Sequence, residues 1–212
     1  EKEQEMAYLV NAEAVKYLAV TCEENNCVLI HFSTDYVFDG KKDSPYSEED
    51  ETDPLNVYGA SKLLGEEYIR THLERYFIFR ISWLYSDIGN NFFNTIRKKA
   101  EAGEPLNITT SQKGTPTNAY DLADFVLELI ASGNDRYGTY NYSNIGEATW
   151  YDFAEEILKH LDSTSELKEN NDFKTLATRP AYSVLSKEKT KETFGVSILP
   201  WKESLEKLFS QL

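Results

Sequence analysis

Apolar residues follow two patterns along the chain, short continuous runs and stripes with three- or four-residue spacing. The runs predict strands at 27–33, 76–82, 106–110 and 138–143. The stripes predict amphipathic helices over 4–24, 57–74, 89–103, 120–132, 149–161, 183–195 and from Pro200 onward. In the first helix the stripe consists of Met6, Leu9, Val10, Ala14, Tyr17 and Leu18. Strands that alternate with helices predict an α/β fold with a mainly parallel sheet.

Capping residues, glycine and proline mark the ends of several predicted helices and strands. Asn56 and Thr149 are candidate N-caps, and Gly195 is a candidate helix end. The stretch between the first strand and the second helix is acidic and is broken by Pro45 and Pro54, so it reads as a loop. A loop of this length inside a compact domain is usually functional or disordered.

Composition narrows the class of protein. The 212 residues are 41% hydrophobic, which is enough for a core, and no apolar run is long enough for a membrane span. The net charge of −14 argues against nucleic acid and anionic membranes as partners. Cys22 and Cys27 give neither a disulfide framework nor a metal spacing, so we expect reduced thiols and a cytoplasmic location.

Three residues around the first strand suggest proton chemistry. Tyr58 and Lys62 are four positions apart, so they share one face of a helix. A nearby ammonium lowers the pKa of a phenol, which then suits general acid catalysis on a carbonyl. Thr34 ends a buried strand, where ligands bind in open α/β folds, and its hydroxyl either orients a substrate oxygen or caps the following turn.

The order of these motifs resembles the extended short-chain dehydrogenase/reductase family. Within it, the match is to nucleotide-sugar reductases that act on dTDP-4-dehydro-6-deoxy-L-mannose. The matching stretches, in family order, are STDYVFDG, PYSEED, PLNVYGASKLLGEE, RISWLY, GNNFFNTI, QKGTPT, GTYNYSNIGEATWYDFAEEI and RPAYSVL. The resemblance implies a Rossmann-like doubly wound parallel sheet with a smaller substrate-binding subdomain, and NADPH or NADH as cofactor.

The resemblance also implies roles for individual residues. It makes Tyr58 the proton donor, Lys62 the residue that lowers its pKa and holds the cofactor ribose, and Thr34 the residue that orients the 4-keto oxygen. Ser33 is expected beside the cofactor. The expected substrate contacts are Thr34, Asp35, Trp83, Asn91, Phe92, Gln112 and Arg179. Asn91, Phe92 and Arg179 are assigned to the diphosphate, and Gln112 and Thr117 to the wall of the sugar pocket. Trp83 can instead close the core, Arg179 can be merely solvated, and Asp35 can be a turn former.

The family pattern is not complete in these residues. The sequence contains no G-x-G-x-x-G turn, so we expect an N-terminally truncated sheet and a fragment that can itself be inactive. We expect residues 1–85 and 120–145 in the cofactor-side layer, and 86–119 and 146–212 in the sugar-nucleotide-binding subdomain. A homodimer is expected; a Mg²⁺ ion at a subunit interface is possible in the family but has no support in this sequence.

Two alternatives remain open at this point. One is another nucleotide-sugar enzyme of the superfamily, an epimerase or a dehydratase. Dehydratases place Asp-Glu after the threonine, whereas here Asp35 is followed by Tyr36. The other is a non-catalytic regulatory subunit that resembles the reductase.

Overall fold

The computed structural model describes residues 1–172 and 175–212. The helices are α1 Gln4–Tyr8, α2 Ala14–Glu24, α3 Val57–His72, α4 Phe92–Glu101, α5 Ala119–Ser132, α6 Trp150–His160, α7 Glu188–Phe194 and α8 Trp201–Phe209. A π-helical turn at Leu9–Glu13 makes α1 and α2 one continuous rod. The strands are β1 Leu29–Thr34, β2 Tyr76–Ile81, β3 Leu84–Tyr85, β4 Leu106–Ile108, β5 Lys113–Gly114, β6 Thr117–Asn118, β7 Gly138–Tyr142, β8 Ala148–Thr149 and β9 Leu167–Glu169.

The main sheet has three strands in the order β1-β2-β7, and all of them are parallel. Thr34 pairs with Ile81, and Ile81 pairs with Tyr142, so the carboxyl ends of the three strands meet at one edge. Parallel strands need helical crossovers, which cover both faces and account for their nearly continuous apolar sequences. The predicted α/β class with a mainly parallel sheet is confirmed.

Two large apolar clusters divide the core. One joins the main sheet to α5 and α7, around Phe79, Phe125 and Phe194. The other joins α4, α6 and α8, around Phe93, Phe153 and Leu205. The predicted domain boundaries stay a prediction, and α7 packs on the sheet although it falls within the range assigned to the subdomain.

Sequence periodicity misplaced the buried face of the first helical rod. Met6, Leu9, Val10, Tyr17 and Leu18 of the predicted stripe are exposed. Ala12, Val15 and Ala19 are buried instead. The rod approaches α3 closely at Gly65, because a Cβ on this α3 residue would collide with the Asn11 carbonyl oxygen.

The helix predicted over 183–195 begins only at Glu188. The residues before it are extended, and the Tyr46 backbone N–H donates to the Val184 carbonyl at 2.8 Å. Tyr46 and Leu185 are buried together, so tertiary packing against the long loop overrides the local helical pattern. The N-caps at Asn56 and Thr149 and the left-handed helix end at Gly195 are confirmed.

Within the described residues, no helix combines the length and the apolar character that crossing a bilayer requires.

Candidate active site

The site begins where β1 ends. Thr34 is buried, and its hydroxyl accepts a hydrogen bond from the Tyr36 backbone N–H at 3.2 Å, which caps the short 3-10 turn Asp35–Val37. The same hydroxyl donates to Oδ1 of Asp35 at 3.1 Å. The capping role considered from sequence is therefore present, and Thr34 also lines one cavity with Tyr58.

Tyr58 lies in the first turn of α3, directly after the Asn56 cap. Burial raises the pKa of its phenol above the ordinary value, the Thr34 hydroxyl lowers it, and Asp35 raises it. The Tyr36 ring meets the Tyr58 ring edge-on, with centroids 6.1 Å apart. The phenol is therefore protonated at neutral pH, as a proton donor must be, and it lines one cavity together with Thr34.

Lys62 is on the same face of α3 as Tyr58, but its ammonium turns toward β1. Its Nζ donates to the Phe32 carbonyl oxygen at 2.6 Å and lies 3.1 Å from Nε2 of His31. The expected lowering of the Tyr58 pKa by Lys62 is not found, because the ammonium is tied to the strand rather than to the phenol. Burial and the Lys62 charge lower the pKa of His31 to about 4, so its imidazole is neutral and accepts this hydrogen bond.

The Ser33 side chain belongs to a buried network of charged groups. Its hydroxyl donates to Glu66, whose carboxylate also accepts from Nη2 of Arg80 at 2.8 Å. Glu66 and Arg80 are both almost fully buried. The Ser33 hydroxyl is thus committed to Glu66.

Asp35 is almost fully buried, with 2% of its surface exposed. Burial raises its pKa to about 7, against smaller opposing effects from Ser183 and Thr34. Oδ1 accepts from Thr34, whereas Oδ2 has no hydrogen-bond partner among the described residues.

Two cavities meet at this edge of the sheet. The first, of about 410 Å³, contains Thr34, Asp35, Tyr58 and Trp83 in its lining. The second, of about 430 Å³, is lined by Phe92, Asn107, Ile108, Thr109, Gln112, Trp150, Thr175 and Arg179. Trp150 and Arg179 line both, so the two cavities are neighbours with one aromatic and one cationic group between them.

Trp83 stands at the junction. Its ring stacks on Trp150 with centroids 3.6 Å apart and planes 8° from parallel. Its backbone adopts φ 44°, which a non-glycine residue rarely does outside functional or strained positions. Gly114 leaves room for the ring, because a Cβ there would lie 2.6 Å from it.

The remaining residues predicted to contact the substrate do not all line the two cavities. Phe92 lines the second cavity, 4.6 Å from the Trp150 ring. Gln112 also lies there rather than in the first cavity, and its Oε1 accepts from the Trp150 indole at 3.0 Å. Asn91 lines neither cavity; its side chain caps α4 and donates to the carbonyls of Ser86 and Ile88.

Thr117, assigned to the wall of the sugar pocket, is fully buried away from both cavities. Its hydroxyl donates to the Ser82 carbonyl oxygen, so Thr117 links β6 to the end of β2 instead.

Arg179 places positive charge between the two cavities. It lowers the pKa of Tyr36, whose overall shift is upward because of burial. No cluster of metal-ligating side chains suited to an ion was found in the described part of the chain.

Sequence reasoning missed His31, Tyr36 and Trp150. Trp150 had a usable signal, since Thr149 and Asp152 form a capping box that fixes the first turn of α6. His31 and Tyr36 had only their places beside the Ser33-Thr34 pair, and local sequence says nothing about their contacts with Lys62 and Tyr58.

Comparisons with known proteins agree on one family. The family model described as the RmlD substrate binding domain matches residues 1–212. A dTDP-4-dehydrorhamnose reductase from Sinorhizobium fredii is 37% identical over 219 residues, which cover 98% of this chain and 74% of the relative. A probable dTDP-4,6-dihydroxy-2-methyloxan-3-one 4-ketoreductase from Streptomyces antibioticus is 34% identical over 218 residues, covering 100% and 73%.

Solved structures give the same result. The crystal structure of dTDP-4-dehydrorhamnose reductase from Bacillus anthracis, in complex with NADP, superposes with a TM-score of 0.96 at 34% identity. The match covers 100% of this chain and 75% of that one. The chain therefore spans about three quarters of the length of these relatives.

Proposed function

Because the chain belongs to the family of the RmlD substrate binding domain, we propose that it acts as a dTDP-4-dehydrorhamnose reductase. The reaction is reduction of the 4-keto group of dTDP-4-dehydro-6-deoxy-L-mannose to dTDP-L-rhamnose with NADPH or NADH. The observation that carries the proposal is that the Tyr58 phenol and the Thr34 hydroxyl line one cavity at the carboxyl end of a parallel strand.

The residues fit a nicotinamide cofactor. The first cavity opens at the carboxyl edge of a parallel sheet, where such ligands bind in α/β folds. An ammonium has three donors, and among the described residues Lys62 uses two of them, on Phe32 and His31, so a donor remains for the cofactor ribose. When bound, the cofactor supplies the hydride.

The chain's own residues supply the proton and the orientation. Tyr58 donates its proton to the sugar oxygen O4 as negative charge develops there, and the Thr34 hydroxyl orients that oxygen. We assign the Lys62 ammonium to the cofactor ribose rather than to the phenolate, because it bonds to the strand at Phe32 and His31.

The two cavities divide the substrate between them. We assign the sugar to the cavity with Tyr58 and the nucleoside to the cavity with Phe92 and Trp150. Arg179, which borders both, is placed for the diphosphate, because a guanidinium matches phosphate oxygens. Trp83 serves as the wall against the sugar, and Asn91 acts through the helix cap that positions Phe92.

The Streptomyces relative supports this substrate class. The ketone in its name lies between a ring carbon with a methyl group and a ring carbon with a hydroxyl group. The ketone of dTDP-4-dehydrorhamnose has the same two neighbours. Asp35 precedes Tyr36 rather than a second acid, which favours hydride transfer over dehydration.

An NADPH-oxidation assay with dTDP-4-dehydrorhamnose tests the proposal. Tyr58→Phe removes the proton donor and should lower kcat by roughly 10²–10⁴-fold, since general acid catalysis contributes about that factor. Tyr17→Phe on the exposed face of α2 is the matched control and should keep wild-type turnover. The proposal fails if Tyr58→Phe keeps more than about a tenth of the activity.

We also propose a cytoplasmic location and a homodimer. Both cysteines are free, as in reducing compartments. The exposed apolar face of the first helical rod offers surface for association, which sedimentation can test.

A further inference from the structure

The two cysteines lie at the two ends of one tight turn. Cys22 is in the last turn of α2, and Cys27 follows that helix shortly before β1. The Cys27 backbone N–H donates to the Cys22 carbonyl oxygen at 2.8 Å. Inside this bond, the Asn26 N–H donates to the Glu23 carbonyl oxygen at 3.2 Å, and Asn26 is left-handed with φ 56°. These two bonds around a left-handed residue form a Schellman motif, in which the side chains at the positions of Cys22 and Cys27 frequently touch.

The turn limits the distance between the two cysteines. Standard backbone dimensions put a carbonyl oxygen about 2.4 Å from its own Cα and a backbone nitrogen about 1.5 Å from its own Cα. With the 2.8 Å hydrogen bond between them, the Cα atoms of Cys22 and Cys27 are at most about 6.7 Å apart. Disulfides join Cα atoms that are about 4.4–6.8 Å apart. The backbone of the reduced protein therefore already holds the two residues within disulfide range.

The surroundings of the two thiols differ. Cys27 is exposed, whereas Cys22 is partly buried and packs on the apolar cluster between the first helical rod and α3. Burial raises the pKa of the Cys22 thiol, and the nearby Cys27 thiol raises it further. The Arg75 side chain donates to the side-chain oxygen of Asn26, which ties the turn to the start of β2. An oxidant from solvent thus meets Cys27 first, with Cys22 held beside it as a resolving thiol.

We propose that Cys22 and Cys27 form a reversible intramolecular disulfide, a modification site at the end of α2. The oxidant is hydrogen peroxide. The Cys27 thiolate attacks one peroxide oxygen, the O–O bond breaks, and the products are a sulfenic acid and hydroxide, which takes up a proton. The Cys22 thiolate then attacks the sulfenic sulfur, so that the S–S bond forms, the S–O bond breaks, and a second hydroxide leaves and is protonated. The two thiols lose two electrons and two protons, and the peroxide becomes two water molecules.

The site is independent of the proposed reductase reaction. It lies before the amino end of β1, whereas Thr34 and the cavity with Tyr58 lie at the carboxyl end. Glutathione reverses the reaction by thiol–disulfide exchange, so the pair is oxidised only transiently in a reducing compartment. A disulfide also withholds Cys27 from further oxidation to sulfinic acid, which most cellular thiols cannot reverse.

Equilibration of the full chain with glutathione and its disulfide tests the inference. Acid quenching, alkylation and mass spectrometry measure the ratio of disulfide to dithiol at each glutathione ratio, in buffer and in concentrated urea. We expect the closure constant to be at least about tenfold larger for the folded chain, because the turn holds the thiols together only there. A closure constant no larger in the folded chain than in urea would overturn the inference.

Two variants of Asn26 ask whether the turn is the cause. Asn26→Gly should keep the advantage of the folded chain within about threefold, because glycine adopts a left-handed backbone freely. Asn26→Val should lose most of it, since a β-branched residue disfavours positive φ. An unchanged advantage in folded Asn26→Val would contradict the role given to the turn. If that variant does not fold, the comparison of wild type in buffer and in urea still decides the matter.

Peroxide treatment of the native protein gives a second readout. Wild type should lose about 2 Da, the mass of two hydrogen atoms, and stay uncrosslinked between chains. Cys22→Ser has no resolving thiol and should instead accumulate sulfenic and sulfinic acid at Cys27 or disulfide-linked pairs of chains. Dithiothreitol should return wild type, but not the sulfinic acid of the variant, to the reduced mass. Sulfinic acid at Cys27 of wild type without an internal disulfide would refute the proposal.

Discussion

Replacing Asp35 with asparagine is expected to stabilise the folded chain above neutral pH. The carboxyl group is almost fully buried, and burial raises its pKa to about 7 from an ordinary value of 3.8. A raised pKa means that the folded state holds the proton more tightly than the unfolded state. The stability contributed by this proton is present below pH 3.8 and is lost as the pH rises toward 7.

The size of the effect follows from the shift. About three pKa units at 1.36 kcal/mol each give roughly 4 kcal/mol of destabilisation once Asp35 is ionised. The asparagine side chain resembles that of the protonated Asp35. In each, Oδ1 can accept from Thr34, and the other terminal group, an amide N–H or a carboxyl O–H, is a donor without a partner. The variant should therefore match wild type at low pH and exceed it by up to about 4 kcal/mol at pH 8, roughly 10 °C in Tm.

Urea unfolding at pH 5 and pH 8 measures this difference. Between these values the advantage of Asp35→Asn should grow by about 2.7 kcal/mol, two pH units at 1.36 kcal/mol each. Equal m-values would show that the unfolded states are comparable. Asp43→Asn serves as the control and should show no such trend. An advantage that does not change with pH would refute the reasoning that burial of the Asp35 charge limits stability.

The remaining predictions concern the buried ion pair and the aromatic junction. Glu66→Gln should destabilise the chain by about 3–5 kcal/mol in urea, because Arg80 would keep its buried charge without its partner. Burial alone would raise the pKa of Glu66, but Arg80 and Ser33 hold it below its ordinary value. The stability that the ionised Glu66 contributes is therefore lost as the pH falls. A loss of less than about 1 kcal/mol in Glu66→Gln would contradict this account of the ion pair. Trp150→Ala should weaken dTDP binding at least about tenfold, because the base would lose its stacking partner. Calorimetry measures the change, and an unchanged Kd would place the nucleoside elsewhere.

Sequence patterns predicted best the features whose physical cause lies within a few residues along the chain. Asn56 and Thr149 were recognised as N-caps because a cap bonds to a backbone N–H two or three residues away. The Tyr58–Lys62 spacing fixed a shared helix face for the same reason. The buried face predicted from periodicity for the first helical rod was wrong, because that face depends on how closely α3 approaches.

Contacts across the sheet were outside the reach of sequence patterns. The direction of the Lys62 ammonium depends on Phe32 and His31, which lie on a strand far away in the chain. The commitment of Ser33 to Glu66 likewise depends on the packing of α3 on β1.

The sequence by itself determined the α/β class, the family and the group of residues that carry the chemistry, because element periods, caps and ordered motifs are short-range properties of the chain. Only the tertiary structure decided that Trp150 joins two cavities and that Asp35 keeps an unpaired oxygen beside Thr34. Burial and hydrogen-bond satisfaction are set by every segment that packs around a group, and these segments are distant in sequence.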